Sequence, residues 1–241
     1  MGLALLLGIL IFMALFHPVL LSSGGEILGP NDLDAYGWMS VLGIFLHVVI
    51  HELGTIFAAW RLKLPLRWRI FGFGANATAI LENVPRRVWT DAVVGFAGPL
   101  TGSTFSAALA LTYNITADPL YLGMACVGYF YNLVTLIPIL DLEGGWLAPA
   151  IAPQAWLLGL FATALELANE FNLVLLCVVA FAVPRFVLLI RARAPRTDLG
   201  CTTLQRVIVG VGYFVLVIGL AWFGITTFEE LPRLVRESMG D

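Results

Sequence analysis

The chain has 241 residues, 60% of them hydrophobic and only 12% charged, against about 45–50% apolar and about 25% charged in a soluble globular domain. A soluble fold of this composition would leave large apolar patches in water, so lipid is the expected solvent. A net charge of −3 offers no basic surface for nucleic acid, and three cysteines (Cys126, Cys177, Cys201) without CxxC spacing exclude a disulfide framework.

A helix needs about 20 mainly apolar residues to cross a hydrocarbon core of about 30 Å. Such stretches run near 2–21, 38–60, 90–112, 119–140, 147–168, 171–190 and 205–226. They predict a single polytopic domain over 1–241, an all-α integral membrane fold of about seven transmembrane helices. Six is the fallback, because 147–168 carries Pro153 and Gln154 near its start and reads equally as re-entrant. The first segment lacks a basic n-region and a small-residue cleavage site, so it is expected to remain as an anchor rather than to be removed as a signal peptide.

The second segment holds three ionisable groups, His47, His51 and Glu52. Each such group costs about 2.5–3.5 kcal/mol at mid-helix on insertion scales, so ionisable residues in a membrane usually mark function. His47 and His51 stand at i and i+4 and share a helix face, the way a helix presents two imidazoles to one metal. A glutamate beside a metal-binding histidine acts as general base toward metal-bound water. The competing reading is a pair of buried histidines hydrogen-bonded to other helices.

The loop 61–89 follows. Leu64, Leu66, Trp68 and Ile70 alternate with Pro65, Arg67 and Arg69, a period of two. Gly72 and Gly74 break the run, and Ala75–Leu81 returns as a second strand. A small β-hairpin at the membrane interface is expected; the alternative is a basic amphipathic loop on anionic headgroups.

Segment three carries Gly95, Gly98 and Gly102 as a small-residue stripe suited to helix packing. Segment four ends in TLIPILDLEGGW, with Asp141 and Glu143 near the same membrane face as His51. A carboxylate from a second helix is the natural third ligand for a two-histidine site.

Lys and Arg concentrate on the cytoplasmic side. Arg61, Lys63, Arg67, Arg69, Arg86 and Arg87 lie in 61–89, and Arg191, Arg193, Arg196 and Arg206 flank the connection between segments six and seven. The 22–37 and 113–118 loops have neither Lys nor Arg. The N-terminus is therefore expected in the cytoplasm and the C-terminus outside.

Three elements in order, HELG in segment two, FAGPLTG in segment three and PILDLEGGW in segment four, resemble the site-2 protease family of intramembrane zinc metalloproteases over about 38–146. The resemblance implies a site-2 protease-like core, with His51 as a zinc ligand and Glu52 as the catalytic glutamate. Aligned on Pro138, the family's aspartate ligand falls on Glu143. The family's second histidine ligand falls on Thr55, its asparagine on Thr135, and the asparagine after G-P on Gly102. Four polar positions of one site are thus altered.

His47, one turn before His51, is a substitute ligand, but using it moves the site by about 5.4 Å, one helical pitch. Replacing Asp by Glu adds only about 1.5 Å of reach, so Glu143 alone cannot follow the metal, and Asp141 reaches a site rebuilt there only if segment four unwinds at Gly144 and Gly145. The expected function is a site-2 protease-like protein that has lost peptidase chemistry and serves as a subunit or assembly or regulatory partner of other membrane proteins. The alternative is an active zinc metalloprotease with an atypical site, cutting a transmembrane substrate near the cytosolic face. A transporter is disfavoured, because neither an internal repeat nor paired broken helices can be seen.

Overall fold

A computed structural model describes residues 30–64, 66–68, 78–80, 87–138, 142–151 and 201–238, together with a few isolated positions between 161 and 179. The helix α1 spans Pro30–Arg61. It stops where Lys63 turns into the left-handed region (φ 55). The Lys63 N–H then donates to the Trp60 carbonyl at 2.9 Å, and the Leu64 N–H to the Ala59 carbonyl at 2.9 Å. This pair of bonds is a Schellman closure. Arg61 in the last turn sits favourably against the negative end of the helix dipole.

Within the 61–89 loop, β1 (Leu66–Trp68) and β2 (Thr78–Ile80) pair antiparallel, with Leu66 opposite Ile80, Arg67 opposite Ala79 and Trp68 opposite Thr78. The chain then enters α2 (Val88–Thr116). At its far end Ala117 adopts the left-handed conformation and donates its N–H to the Tyr113 carbonyl at 2.7 Å. The next residue already caps α3 (Pro119–Thr135): the Asp118 carboxylate accepts from the Leu120 N–H at 2.9 Å, and Pro119 occupies the first turn, where a missing N–H costs nothing. A two-residue connection forces α2 and α3 to lie antiparallel.

The fourth expected segment is corrected at its end. It was expected to be helical to 140, but α3 stops at Thr135. Pro138 accounts for this: it has no N–H to donate, its ring would clash with the carbonyl one turn earlier, and it disfavours helical geometry at Ile137. The short α4 (Glu143–Ile151) follows. Most of the expected segment 147–168 lies outside the described residues, as do the segments at 2–21 and 171–190.

The last helix, α5 (Thr203–Ser238), begins with a reciprocal cap. The Gln205 N–H donates to the Thr202 hydroxyl at 3.2 Å, and the Thr202 N–H to the Gln205 side-chain oxygen at 2.9 Å. Tyr213 on α5 donates to the Leu136 carbonyl at 2.9 Å, fastening α5 to the end of α3.

In the bundle α1 packs on α2, α2 on α3 and α3 on α5, while α4 lies against α2 and α5. Leu136, Leu147, Ala92, Ala125 and Val209 fill the centre. Among the described residues three helices are long and apolar enough to cross a membrane: Gly43–Arg61 with 19 residues, and Val88–Thr116 and Thr203–Leu231 with 29 each. Val207, Val211, Val215, Ile218 and Trp222 of α5 are exposed, as a surface turned to lipid requires. The fold is helical and suited to a bilayer.

Basic residues fall mostly at one end. Arg61, Lys63, Arg87 and Arg206 lie where α1 finishes and α2 and α5 begin, beside Asp91. The other end has Asp118, Glu229, Glu230 and Arg233, and there Tyr113 donates to Glu230 at 3.3 Å.

Candidate functional site

The two faces of α1 differ sharply. Phe45, Leu53, Phe57 and Trp60 are exposed, while His47 and His51 are each 1% exposed, Thr55 2% and Glu52 7%. Burying these polar groups is tolerable only if neighbouring helices supply partners. For both histidines they do.

Nδ1 of His47 donates to the carbonyl of Gly43, one turn earlier in its own helix, at 2.8 Å. Its Nε2 lies 3.1 Å from the hydroxyl of Ser106 on α2, which is also 3.0 Å from the Gly102 carbonyl. Nδ1 of His51 is 2.9 Å from Oδ1 of Asn132 on α3, and its Nε2 is 3.1 Å from Oε1 of Glu143 at the start of α4. Asn132 is itself tied back by its Nδ2 donating to the Gly128 carbonyl at 2.7 Å. The edge of the Tyr131 ring meets the His51 ring, with centroids 5.4 Å apart. Glu52 lies within electrostatic reach of His51 and Glu143. Two buried hydrogen-bonded sets one turn apart on α1 therefore tie it to its neighbours, His47 to α2 through Ser106 and His51 to α3 and α4 through Asn132 and Glu143.

Absent side chains make room for it. A Cβ on Gly98 would fall 2.5 Å from Nε2 of His51 and 2.7 Å from the Thr55 hydroxyl. One on Gly102 would collide with the Asn132 amide, and one on Gly128 with Nε2 of His47 and the Ser106 hydroxyl. On Gly95 it would press on the Glu143 carbonyl at 3.2 Å. The stripe on α2 is thus a packing feature whose partners are the site residues themselves.

The residues singled out in the sequence fall into three groups. His51 and Glu143 meet, with Glu52 in electrostatic reach, while His47 one turn away bonds Ser106 instead. Thr55 and Thr135 lie nearby but turn back on their own helices: Thr55 donates to the His51 carbonyl at 3.4 Å and Thr135 to the Asn132 carbonyl at 2.9 Å. Asp141 lies outside the described residues. Two partners, Asn132 and Ser106, were missed. The available signal was an amide and a hydroxyl within otherwise apolar helical runs, where such groups seek partners across helices.

The resemblance implies zinc, which normally takes three protein ligands plus water in a catalytic site. His51 Nε2 and Glu143 Oε1, 3.1 Å apart, are a plausible pair on one cation, since bonds of about 2.0–2.1 Å in tetrahedral geometry hold ligands slightly over 3 Å apart. A third ligand is lacking. Thr55 is not a usual zinc ligand, and Nε2 of His47 faces Ser106 on α2 at 3.1 Å, one turn away from the pair formed by His51 and Glu143. Among the described residues no group of three or more His, Cys, Asp or Glu side chains is arranged to hold a metal. The described donors do not fit a three-ligand zinc centre.

No protein-family model, no curated protein and no solved structure matches the chain.

Proposed function

We propose that the chain is a site-2 protease-like membrane protein that has given up peptidase chemistry and works as a subunit, or as an assembly or regulatory partner, of other membrane proteins. In this reading seven segments cross the bilayer, with the N-terminus and the basic ends of α1, α2 and α5 in the cytoplasm. The observation that carries it is the state of the histidine face. His47 is closed off by Gly43 and Ser106, and His51 by Asn132 and Glu143. The position of the family's second histidine is held by Thr55, whose hydroxyl turns back to its own helix. A network whose members satisfy one another stabilises a bundle and leaves no described third donor for a metal that would activate water.

The second reading is an active intramembrane zinc metalloprotease with an atypical site. It draws on the 3.1 Å approach of His51 and Glu143, two residue types that ligate zinc.

Metal analysis of the full chain, purified in detergent without added metal, separates the two. The proposal expects well under one zinc per chain and an unchanged biological role for Glu52→Gln. One zinc per chain that is lost in His47→Ala would sink the proposal in favour of the protease.

A further inference from the structure

His51 and His47 stand one turn apart on the same helix face, yet their Nδ1 atoms find acceptors in different ways. His47 uses the carbonyl of Gly43 on its own helix, at 2.8 Å. A carbonyl only accepts, so Nδ1 of His47 carries a proton. His51 instead reaches across to α3, where Asn132 faces it at 2.9 Å.

An amide can present either its oxygen or its nitrogen, and the surrounding bonds decide which. Here the Gly128 carbonyl decides. It lies 2.7 Å from the amide nitrogen of Asn132 and only accepts, so that nitrogen is the donor and Oδ1 is left for His51. The amide also has little room to turn, because the backbone of Gly102 lies directly against it. Oδ1 only accepts, and Nδ1 of His51 must therefore donate.

We propose that Asn132 is the positioning residue of this site: with its amide oriented by Gly128, it keeps a proton on Nδ1 of His51 and commits Nε2 to Glu143. The inference stands on hydrogen-bond geometry alone and does not depend on the protease-like reading. It explains why an amide lies in the last turn of the otherwise apolar α3. With Nδ1 donating to Asn132, the contact of Nε2 with Glu143 at 3.1 Å takes one of two forms: Nε2–H donating to a carboxylate, or bare Nε2 accepting from a protonated Glu143. The ring nitrogen not held in this way is the one whose bonding the site can vary.

The test uses the full chain with ring-labelled [15N]histidine in detergent micelles. The three histidines, His17, His47 and His51, are assigned with His17→Gln and His47→Gln variants. Nitrogen chemical shifts and couplings to ring protons distinguish Nδ1–H from bare Nδ1. In the wild type Nδ1 of His51 is expected to be protonated. Asn132→Asp gives up the donor to Gly128 but keeps an oxygen acceptor toward His51, and is expected to retain the proton on Nδ1. Asn132→Leu is expected to lose it, giving His51 a majority with the proton on Nε2, while His47 is unchanged. A bare Nδ1 on His51 in the wild type overturns the proposal, and so does its loss in Asn132→Asp or an unaltered His51 pattern in Asn132→Leu. The wild-type and Asn132→Asp spectra decide the matter even if the leucine variant fails to fold.

Discussion

Nδ1 of His51 and Oδ1 of Asn132 meet at 2.9 Å although 81 residues separate them in the chain. The contact ties α1 to α3 at the depth where α2 has Gly98 and Gly102 in place of bulk. Removing one partner leaves a buried polar group unpaired, which costs about 1–3 kcal/mol. Asn132→Ala is therefore expected to destabilise the folded chain by that amount in denaturation from mixed micelles. Thr135→Ala removes only a bond to a carbonyl of its own helix, and is expected to cost less than about 1 kcal/mol. Equal losses would show that the cross-helix bond has no special weight.

Glycine replacements should divide according to what each glycine faces. At Gly128 a methyl group meets the His47 ring and the Ser106 hydroxyl, so Gly128→Ala is expected to lower stability by about 1–3 kcal/mol through overpacking. At Gly219 in α5 nothing lies within 4 Å of an added methyl. There alanine is expected to be neutral or to gain up to about 1 kcal/mol from helix propensity. Thermal melts of the two variants in the same detergent make the comparison.

The sorting of charge between the two ends predicts accessibility. Asn114, in the last turn of α2, is exposed, and Cys201 lies just before α5 at the opposite end of the bundle. In intact cells an impermeant thiol reagent is expected to label a chain whose only cysteine is Asn114→Cys, and to leave a chain with only Cys201 unlabelled. Labelling of Cys201 from outside reverses the orientation.

Position 55 lies one turn beyond His51 on the same face and borders the space over Gly98. Thr55→His is expected to raise zinc content above that of the wild type, because it adds a third ligand to His51 and Glu143. Peptidase activity is not expected to follow, since Thr135 and Gly102 also differ from the family pattern. No increase in metal content would mean that His51 and Glu143 do not share a coordination position.

The ionisable part of this network was legible in the sequence and the neutral part was not. His47, His51, Glu52 and Glu143 stand out because charge-bearing side chains are costly in lipid. Asn132 and Ser106 carry no charge, and alignment on Pro138 drew attention to Thr135, one turn away from the residue that makes the contact. Spacing alone does not fix the rotation of α3 about its axis, and an error of three residues changes which side chain faces α1. The stop at Thr135 was available from Pro138, and the start of α5 from the Thr202–Gln205 pair. The glycine stripe was correctly read as packing, but its partners required three-dimensional neighbours to identify.

The reciprocal cap at Thr202 and Gln205 bears on how far each helix relies on the others. Helix initiation is the costly step, because several residues are fixed before the first turn is bonded. At this terminus the orphan N–H groups are partly satisfied by two side chains within four residues, without help from any other helix. The 29-residue span Thr203–Leu231 that follows is apolar enough to cross a bilayer, and as a helix it bonds its own backbone. α5 thus satisfies its backbone and its N-terminal cap from within itself. α1 is in the opposite position: its buried histidines draw on Ser106, Asn132 and Glu143 from three other elements. Tyr213 and Arg206 are the contacts by which α5 docks on Leu136 and Ala150, so its attachment to the bundle, unlike that of α1, uses backbone carbonyls rather than partner side chains.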